Sequence, residues 1–221
     1  MKKVTPLLAL AICLIISVNA RAQFLQDSNN RPLVEKKYMD ITGSPYFNDT
    51  FLKGTVRLAD GKHYENVYLQ YDEVQDQVLF KNNIKDEIPS VFEVPVSAFS
   101  MDLADGTTAS FQSLTGDNLK PGFYQVLQTG TTSLFKRMKK NIVENASYNT
   151  ANKEKRITSS TSYLIKKADG KYISLKGDKK AFLSALSGRS KEIEAFISSE
   201  KIDFKNDEDL RRLIAYYNGL S

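Results

Sequence analysis

The stretch from Phe51 to Lys81 constrains the fold more than any other part of the sequence. It reads FLKGTVRLADGKHYENVYLQYDEVQDQVLFK, and apolar and polar residues alternate on both sides of Asp60-Gly61. Asp-Gly is typical of the tight turn of a β-hairpin, and strict alternation is typical of a strand with one buried face. The stretch therefore predicts three antiparallel strands joined by two turns.

Two registers are compatible with the first turn. A two-residue turn would set apolar residues against charged ones. A turn with a bulge at Gly61 places Val56 opposite Tyr64. The same register places Leu52 opposite Tyr68. We prefer the bulge, because a slip of one residue would turn the side chains of one strand to the wrong face.

The remainder of the chain predicts more strands and then helices. Asp-Gly turns recur at Asp105-Gly106 and Asp169-Gly170, each between plausible strands. After Lys176 the apolar period changes from two to 3.6, which indicates helices. The predicted fold class is α+β. An antiparallel body rich in β-hairpins and meanders, either a sheet or a partly open barrel, precedes a further β-hairpin and three short C-terminal helices.

Polar residues at suitable positions predict the ends of the three helices. Asp178, Ser190 and Asn206 are the expected N-caps, because short polar side chains accept hydrogen bonds from free N–H groups there. Gly219 follows the apolar stripe of the last helix, where a C-capping glycine is common.

Residues 1–22 predict a signal peptide. Lys2 and Lys3 precede an apolar run, and Ala20-Arg21-Ala22 offers small residues at both recognition positions, so we expect cleavage before Gln23. The apolar run is shorter than the ~20 residues that span a bilayer. The sequence thus indicates export, to the periplasm or outer envelope of a Gram-negative bacterium, with no transmembrane segment after cleavage.

Removal of the signal peptide changes the cysteine content and the charge. The one cysteine, Cys13, leaves with it, so the mature chain has no thiol for disulfides, nucleophilic catalysis or metal binding. The mature chain keeps 28 basic and 26 acidic residues, a net charge of +2. Residues 23–129 carry −6 and residues 130–221 carry +8. This asymmetry indicates either two surfaces with different partners or mutual attraction of the two halves.

Four segments are predicted along the chain. Residues 1–22 are the signal peptide and residues 23–143 a β-rich domain. Residues 144–161 read ENASYNTANKEKRITSST and are nearly devoid of large apolar side chains, which predicts an exposed loop or linker. Residues 162–221 form the β-hairpin and the three-helix C-terminal region.

Several motifs together resemble a functionally uncharacterised family of exported bacterial proteins. They are Gly43-Ser44-Pro45-Tyr46-Phe47-Asn48-Asp49, the Asp-Gly hairpin, Gly122-Phe123-Tyr124-Gln125, Ser133-Leu134-Phe135-Lys136-Arg137 and Tyr216-Tyr217-Asn218-Gly219-Leu220. The resemblance covers most of the mature chain. It implies export and a common architecture, and it carries over no catalytic residue. Where relatives often read Arg-Tyr-Asn, this chain reads Gln70-Tyr71-Asp72.

The sequence predicts no catalytic residue, no cofactor and no metal ligand set. His63 is the single histidine and flanks a turn, which favours a surface position over a catalytic triad or zinc site. Carboxylates cluster at Asp72, Glu73 and Asp76, which favours a solvated hairpin loop, with a calcium site as the alternative. A glycosidase pair of carboxylates stays open, because such pairs meet in space rather than in sequence.

One basic cluster is the predicted anion-binding surface. It consists of Lys136, Arg137, Lys139 and Lys140. Such a cluster suits anionic lipid, the phosphates of lipopolysaccharide or an acidic glycan. A solubilising face is the simpler interpretation. Nucleic acid is a poor fit for an exported chain with a mature charge of +2.

The leading functional hypothesis is an exported cell-envelope protein that acts as a non-catalytic structural or binding module. One alternative is a cofactor-free periplasmic hydrolase that uses carboxylates or a Ser-Lys pair. A second is binding of anionic lipid or glycan through the basic C-terminal half. The partner is unknown, and an envelope protein is one candidate.

Overall fold

The computed structural model of the protein describes residues 38–116, 119–145 and 154–220. The predicted signal peptide lies outside the described residues. Within them, eleven strands form one sheet and three helices follow. The strands are β1 (Ile41–Thr42), β2 (Leu52–Leu58), β3 (His63–Asp72), β4 (Gln77–Lys81), β5 (Ser90–Val91), β6 (Val96–Asp102), β7 (Thr108–Leu114), β8 (Gly122–Gln128), β9 (Ser133–Asn145), β10 (Glu154–Lys166) and β11 (Tyr172–Leu175). The helices are α1 (Lys179–Ala185), α2 (Ser190–Ser199) and α3 (Asp207–Gly219).

The strand order is β1-β10-β9-β8-β7-β6-β2-β3-β4-β5, and β11 also pairs with β10. Neighbours are antiparallel except β1, which runs parallel to β10. Among the described strands, no pairing joins β5 at one end to β1 or β11 at the other, so the sheet is open. A sheet-rich chain with three C-terminal helices agrees with the predicted class at this level.

The register of β2 and β3 is partly as predicted. Val56 lies opposite Tyr64, but Leu52 lies opposite Leu69, so the predicted pairing of Leu52 with Tyr68 is wrong. The register shifts between Gly54 and Val56. On the facing strand Asn66 has a φ of +56°, a left-handed conformation that asparagine tolerates better than most residues. This residue accommodates the extra position of a β-bulge.

Residues 154–161 correct the predicted loop or linker across 144–161. They form the first part of β10 and pair residue by residue with β9. Serine and threonine without large apolar neighbours suggested a loop, yet this part of β10 is mostly exposed and needs no buried face. Residues 146–153 lie outside the described residues. The division of the chain into domains stays a prediction.

The two largest buried clusters of the described residues occupy different parts of the sheet. Strands β2, β3, β4, β6 and β7 contribute one cluster, within which Tyr71, Phe99 and Phe111 have ring centroids 4.6–5.4 Å apart. The helices cover β9, β10 and β11 and bury Phe182, Ile193 and Leu210 against them. None of the helices is long enough to be stable alone, so burial of their apolar stripes against the sheet is what stabilises them.

The helix ends confirm two of the predicted caps and correct two predictions. Asp178 accepts a hydrogen bond from the N–H of Ala181, and Asn206 accepts from two N–H groups of α3. The predicted cap at Ser190 is wrong, because Ser190 is already helical and Arg189 is the N-cap, without a side-chain bond. The predicted C-cap at Gly219 is also wrong. Gly219 is the last helical residue, and the helix ends at Leu220 without a left-handed residue.

Helix α3 is joined to the β8–β9 turn by one amide side chain. Thr132 is 3% exposed, and its N–H donates to Asn218 Oδ1 over 2.8 Å. Asn218 Nδ2 donates to the carbonyl oxygen of Thr132 over 2.9 Å. A Cβ on Gly130 would lie 2.4 Å from Asn218 Nδ2, so a side chain there would displace the amide. Asn218 thus satisfies both main-chain groups of a buried turn residue.

Replacement of Gly54 should destabilise the sheet strongly. A Cβ there would lie 1.9 Å from the carbonyl oxygen of Ser100 on β6, and main chain cannot rotate away. We expect Gly54→Ala to lower the free energy of unfolding by about 3 kcal/mol in a urea titration. Gly219→Ala is the matched control: nothing lies within 4 Å of its added Cβ, and alanine favours a helix, so we expect a change within about 1 kcal/mol. Equal effects of the two replacements would contradict this assignment.

Candidate functional site

The turn between β3 and β4 brings acidic residues against the basic strand β9. We call the turn cluster the side chains of Asp72, Glu73, Asp76, Arg137, Lys139 and Lys140. The main chain also meets there, because the N–H of Lys140 donates to the carbonyl oxygen of Glu73 over 3.3 Å. The sheet therefore curves far enough for the end of β3 to contact β9, which is five places away in the strand order.

The structure gives each residue of the predicted anion-binding cluster a partner inside the protein. Lys136 Nζ lies 2.6 Å from Asp207 Oδ2, and Arg137 Nη2 lies 3.2 Å from Asp76 Oδ2. Lys139 Nζ donates to the carbonyl oxygen of Val74 over 2.7 Å. Lys140 Nζ donates to the carbonyl oxygen of Tyr46 over 2.5 Å and lies 3.0 Å from Glu73 Oε2. An external anion would have to compete with these contacts.

Glu73 is the most buried carboxylate of the turn cluster. Its side chain is 2% exposed, and its Oε2 has the Lys140 ammonium at ion-pair distance but not in hydrogen-bond geometry. Burial raises the pKa of the Glu73 carboxyl, and the nearby Lys140 only partly offsets this effect. Glu73 is therefore protonated more readily than an exposed glutamate.

Asp72 accepts hydrogen bonds from within the turn and from the segment before β2. Its Oδ1 accepts from the N–H groups of Val74 and Gln75, and its Oδ2 accepts from the Tyr38 hydroxyl over 2.5 Å. Burial, and then the hydrogen bond to Asp72, raise the pKa of Tyr38. Tyr46 packs edge-on against Tyr38. The tyrosine hydroxyl therefore remains a donor to the carboxylate across the ordinary pH range.

Asp76 joins the turn to β8 and β9. Its Oδ1 accepts from the Tyr71 hydroxyl over 2.6 Å and from the N–H of Phe123 over 3.2 Å. Arg137 completes the contact: its guanidinium also donates to two main-chain carbonyl groups and lies over the ring of Tyr124. Burial raises the pKa of the Tyr71 hydroxyl, followed by the effect of Asp76. All three carboxylates of the turn thus point at donors within the protein.

A second ionic contact anchors the first turn of α3. Asp207 accepts from Lys136 and also from the Tyr163 hydroxyl, at 3.4 Å. Burial raises the pKa of Tyr163 to about 12, so its hydroxyl stays protonated at neutral pH. Asp207 lies in the first turn of α3, where a carboxylate interacts favourably with the helix dipole, and it also bonds to the sheet.

Glu73 also borders a small pocket. The other lining residues are mostly aromatic or basic: Phe47, Tyr71, Phe111, Phe123, Gln125, Lys136 and Met138. Its cavity volume is about 20 Å³, far below the ~300 Å³ at which ligand pockets usually begin. A buried carboxyl with a raised pKa is able to act as a general acid. The lining contains neither a second carboxylate nor a serine, which a glycosidase pair or a Ser-Lys pair would need.

Outside the turn cluster, His63 lies at the surface, as the sequence predicted. His63 is exposed, and its Nε2 lies 3.4 Å from the exposed Glu65. Within the part of the chain that the structure describes, no group of three or more histidine, cysteine or carboxylate side chains is arranged to hold a metal ion.

Sequence reasoning missed the role of Gln70. The side chain is 5% exposed, and its Nε2 donates to the carbonyl oxygens of Asn48 and Asp49 at 3.2 and 3.0 Å. Gln70 thus holds the segment that leads into β2, at the position where the resembling family often has arginine. The sequence predicted no contact for Gln70, which stood out only as a departure from the motif of the family that the chain resembles.

Replacement of Gly122 should break the contact between Asp76 and Arg137. A Cβ there would lie 2.1 Å from Asp76 Oδ2 and 2.5 Å from Arg137 Nη2, and φ is +145°. We expect Gly122→Ala to cost about 3 kcal/mol in equilibrium urea unfolding. Gly106→Ala also has a positive φ but no atom within 4 Å, so it should cost about 1 kcal/mol through backbone strain. A smaller loss at Gly122 than at Gly106 would disprove this role.

Glu73 should make the stability depend on pH. Because its pKa is raised on folding, the folded protein binds this proton more tightly than the unfolded chain. The stabilisation from Glu73 is therefore fully present below the ordinary glutamate pKa and is lost as pH rises through the raised pKa. We expect the free energy of unfolding of Glu73→Gln, minus that of the unsubstituted protein, to increase between pH 4 and pH 8. The exposed Glu65→Gln serves as the control and should show no such increase. A constant or decreasing difference for Glu73→Gln would contradict the assignment.

Comparison of the chain with protein-family models, with curated proteins and with solved structures gave no match. What the turn cluster and its surroundings can do is therefore inferred from their geometry and chemistry. That geometry favours a structural role for the charges on β9 over a role in ligand binding.

Proposed function

We propose that the protein is exported to the cell envelope and acts there as a non-catalytic binding module. The observation that carries the proposal is the outer part of the β9–β10 hairpin. We call this the arm, residues 141–145 of β9 and 154–158 of β10. Pairing of β9 with β8 ends at Lys136, so the arm extends past that neighbour. Five residue pairs at ~3.4 Å each give it a length of about 17 Å.

The arm exposes apolar side chains on both of its faces. Ile142 is 41% exposed and Val143 is 37% exposed. Consecutive strand residues point to opposite faces, so neither face of the arm is covered by the buried clusters. Exposed Lys155 and Arg156 lie beside them on β10. Exposed apolar side chains bordered by charged ones, on a hairpin that extends past β8, suit contact with a partner.

The turn cluster supports the non-catalytic part of the proposal. Its carboxylates and cations are directed at each other and at main-chain groups, and not at a common point in the pocket. Catalytic groups need a free position near a reacting atom. These side chains instead fix the β3–β4 turn against β8 and β9.

Export is supported by the sequence of residues 1–22. None of the helices in the described ranges is both long and apolar enough to cross a membrane. The proposed location is the periplasm or the outer envelope.

A cofactor-free hydrolase is the second candidate function, favoured by Glu73 at the pocket. Binding of anionic lipid or glycan is a further candidate. It would draw on the exposed Lys155 and Arg156 of the arm, because the four basic residues predicted on β9 have internal partners.

The arm should determine retention in the envelope. We expect the tagged protein to be processed before Gln23 and recovered in the envelope fraction. The double replacement Ile142→Ser with Val143→Ser should reduce that recovery several-fold. Both side chains are exposed, so the free energy of unfolding should change by no more than about 0.5 kcal/mol for each. Ile84→Ser with Ile88→Ser is the matched control, because these isoleucines are 49% and 44% exposed and lie elsewhere.

Two results would contradict the proposal. One is recovery of the unprocessed protein from the cytosol. The other is hydrolysis of glycosides, esters or peptides by the purified protein that Glu73→Gln abolishes, which would favour the hydrolase.

A further inference from the structure

One edge of β10 is open between two short strands. β1 pairs with Lys155 and Arg156, and β11 pairs with residues 163–166 on the same edge. Gly43, which follows β1, packs against Ile157. Residues 158–162, with the sequence TSSTS, have no strand partner on this edge among the described residues. We call this segment the open edge.

The alternation of the strand shows which groups face outward. The N–H of Lys167 donates to Lys171 on the β11 side, so main-chain groups of odd-numbered residues of β10 point to that edge. Even-numbered residues instead bond to β9. Ser159 and Thr161 therefore present two N–H and two C=O groups at the open edge. Such groups are a template for an added strand.

The size of the open edge limits what fits there. Five residues at ~3.3 Å span about 17 Å, and β1 and β11 occupy the positions beyond each end. The long β10 of a second copy would collide with β11 in an antiparallel arrangement. A short extended segment that bends away at both ends would not.

The charges near the open edge indicate which kind of extended segment would bind there. Lys176 follows β11 directly, and Lys179 and Lys180 begin α1; all three are exposed. No ion pair holds them within the described ranges. Asp178 beside them accepts the N–H of Ala181 as a helix cap. At the other end of the open edge, Lys155 and Arg156 are balanced by the exposed Glu154 and Asp40. The open edge itself carries only small neutral side chains, and Lys176 continues the register of β11 past Leu175, so positive charge lies beside Ser162.

We propose that the open edge is a β-addition site for a short extended segment of a partner protein that carries acidic residues. Main-chain hydrogen bonds to Ser159 and Thr161 would hold the segment, and the three lysines would attract its carboxylates. This inference rests on the proposed function as a binding module and specifies the partner class. It uses a surface distinct from the exposed apolar side chains of the arm.

The test uses the purified protein and a fluorescein-labelled peptide in anisotropy titrations. The peptide has a five-residue core of alternating threonine and valine with two glutamates at each end. Ser159→Pro and Thr161→Pro each remove an N–H that faces the open edge and leave the bonds to β9 in place. We expect each to weaken binding about tenfold. Ser159→Ala and Thr161→Val keep the main chain and should bind within about twofold of the unsubstituted protein.

Charge is tested separately, which keeps the proposal testable where a proline variant fails to fold. Lys176→Gln, Lys179→Gln and Lys180→Gln combined should weaken binding of the glutamate peptide about tenfold, and a peptide with lysines in place of the glutamates should bind at least tenfold more weakly. Ile142→Ser with Val143→Ser should leave peptide binding unchanged. The proposal for the arm and the proposal for the open edge can therefore be disproved independently. No binding, equal binding of both peptides, or insensitivity of folded variants to proline would overturn the proposal.

Discussion

Desolvation of charge at the β3–β4 turn is the constraint on which the structure depends. A buried carboxylate without a partner is costly, and a buried pair is tolerated only with good geometry. Asp76 meets this condition with three donors, and Glu73 meets it less fully, with Lys140 alone. The acidic first half of the chain and the basic second half meet here, so mutual attraction is one use of the charge asymmetry. The contact between the β3–β4 turn and β9 also stabilises the curvature of the sheet that brings β3 near β9.

Local sequence patterns were sufficient to predict much of the fold. The alternation around Asp60-Gly61 and the 3.6 period after Lys176 depend on neighbouring residues, and the structure has strands and helices there. Pairings between distant residues were not predictable in this way. Lys140 and Glu73 are far apart in sequence, and nothing in either neighbourhood indicates which charge will be buried. The same reason explains why the four cations of β9 were assigned to a surface.

Two corrections have a shared physical origin. The first part of β10 is mostly exposed on both faces, so it lacks the apolar alternation by which strands are recognised. The bulge at Asn66 is likewise set by a backbone conformation and not by hydrophobic pattern. Tyr46 and Gln70 both have defined contacts: the carbonyl oxygen of Tyr46 accepts from Lys140, and the Gln70 amide holds the segment before β2.

The amide of Asn218 has a consequence for the order of folding. It reaches Thr132 across 86 positions of sequence, so the loop that it closes is long and its entropic cost is paid before the contact is made. The β8–β9 hairpin can form early from near neighbours, but the N–H and C=O of Thr132 lack their protein partner until α3 packs against the turn. If the protein is exported as we propose, the chain would lack this contact while it passes through a translocation pore, and the fold would be completed after translocation.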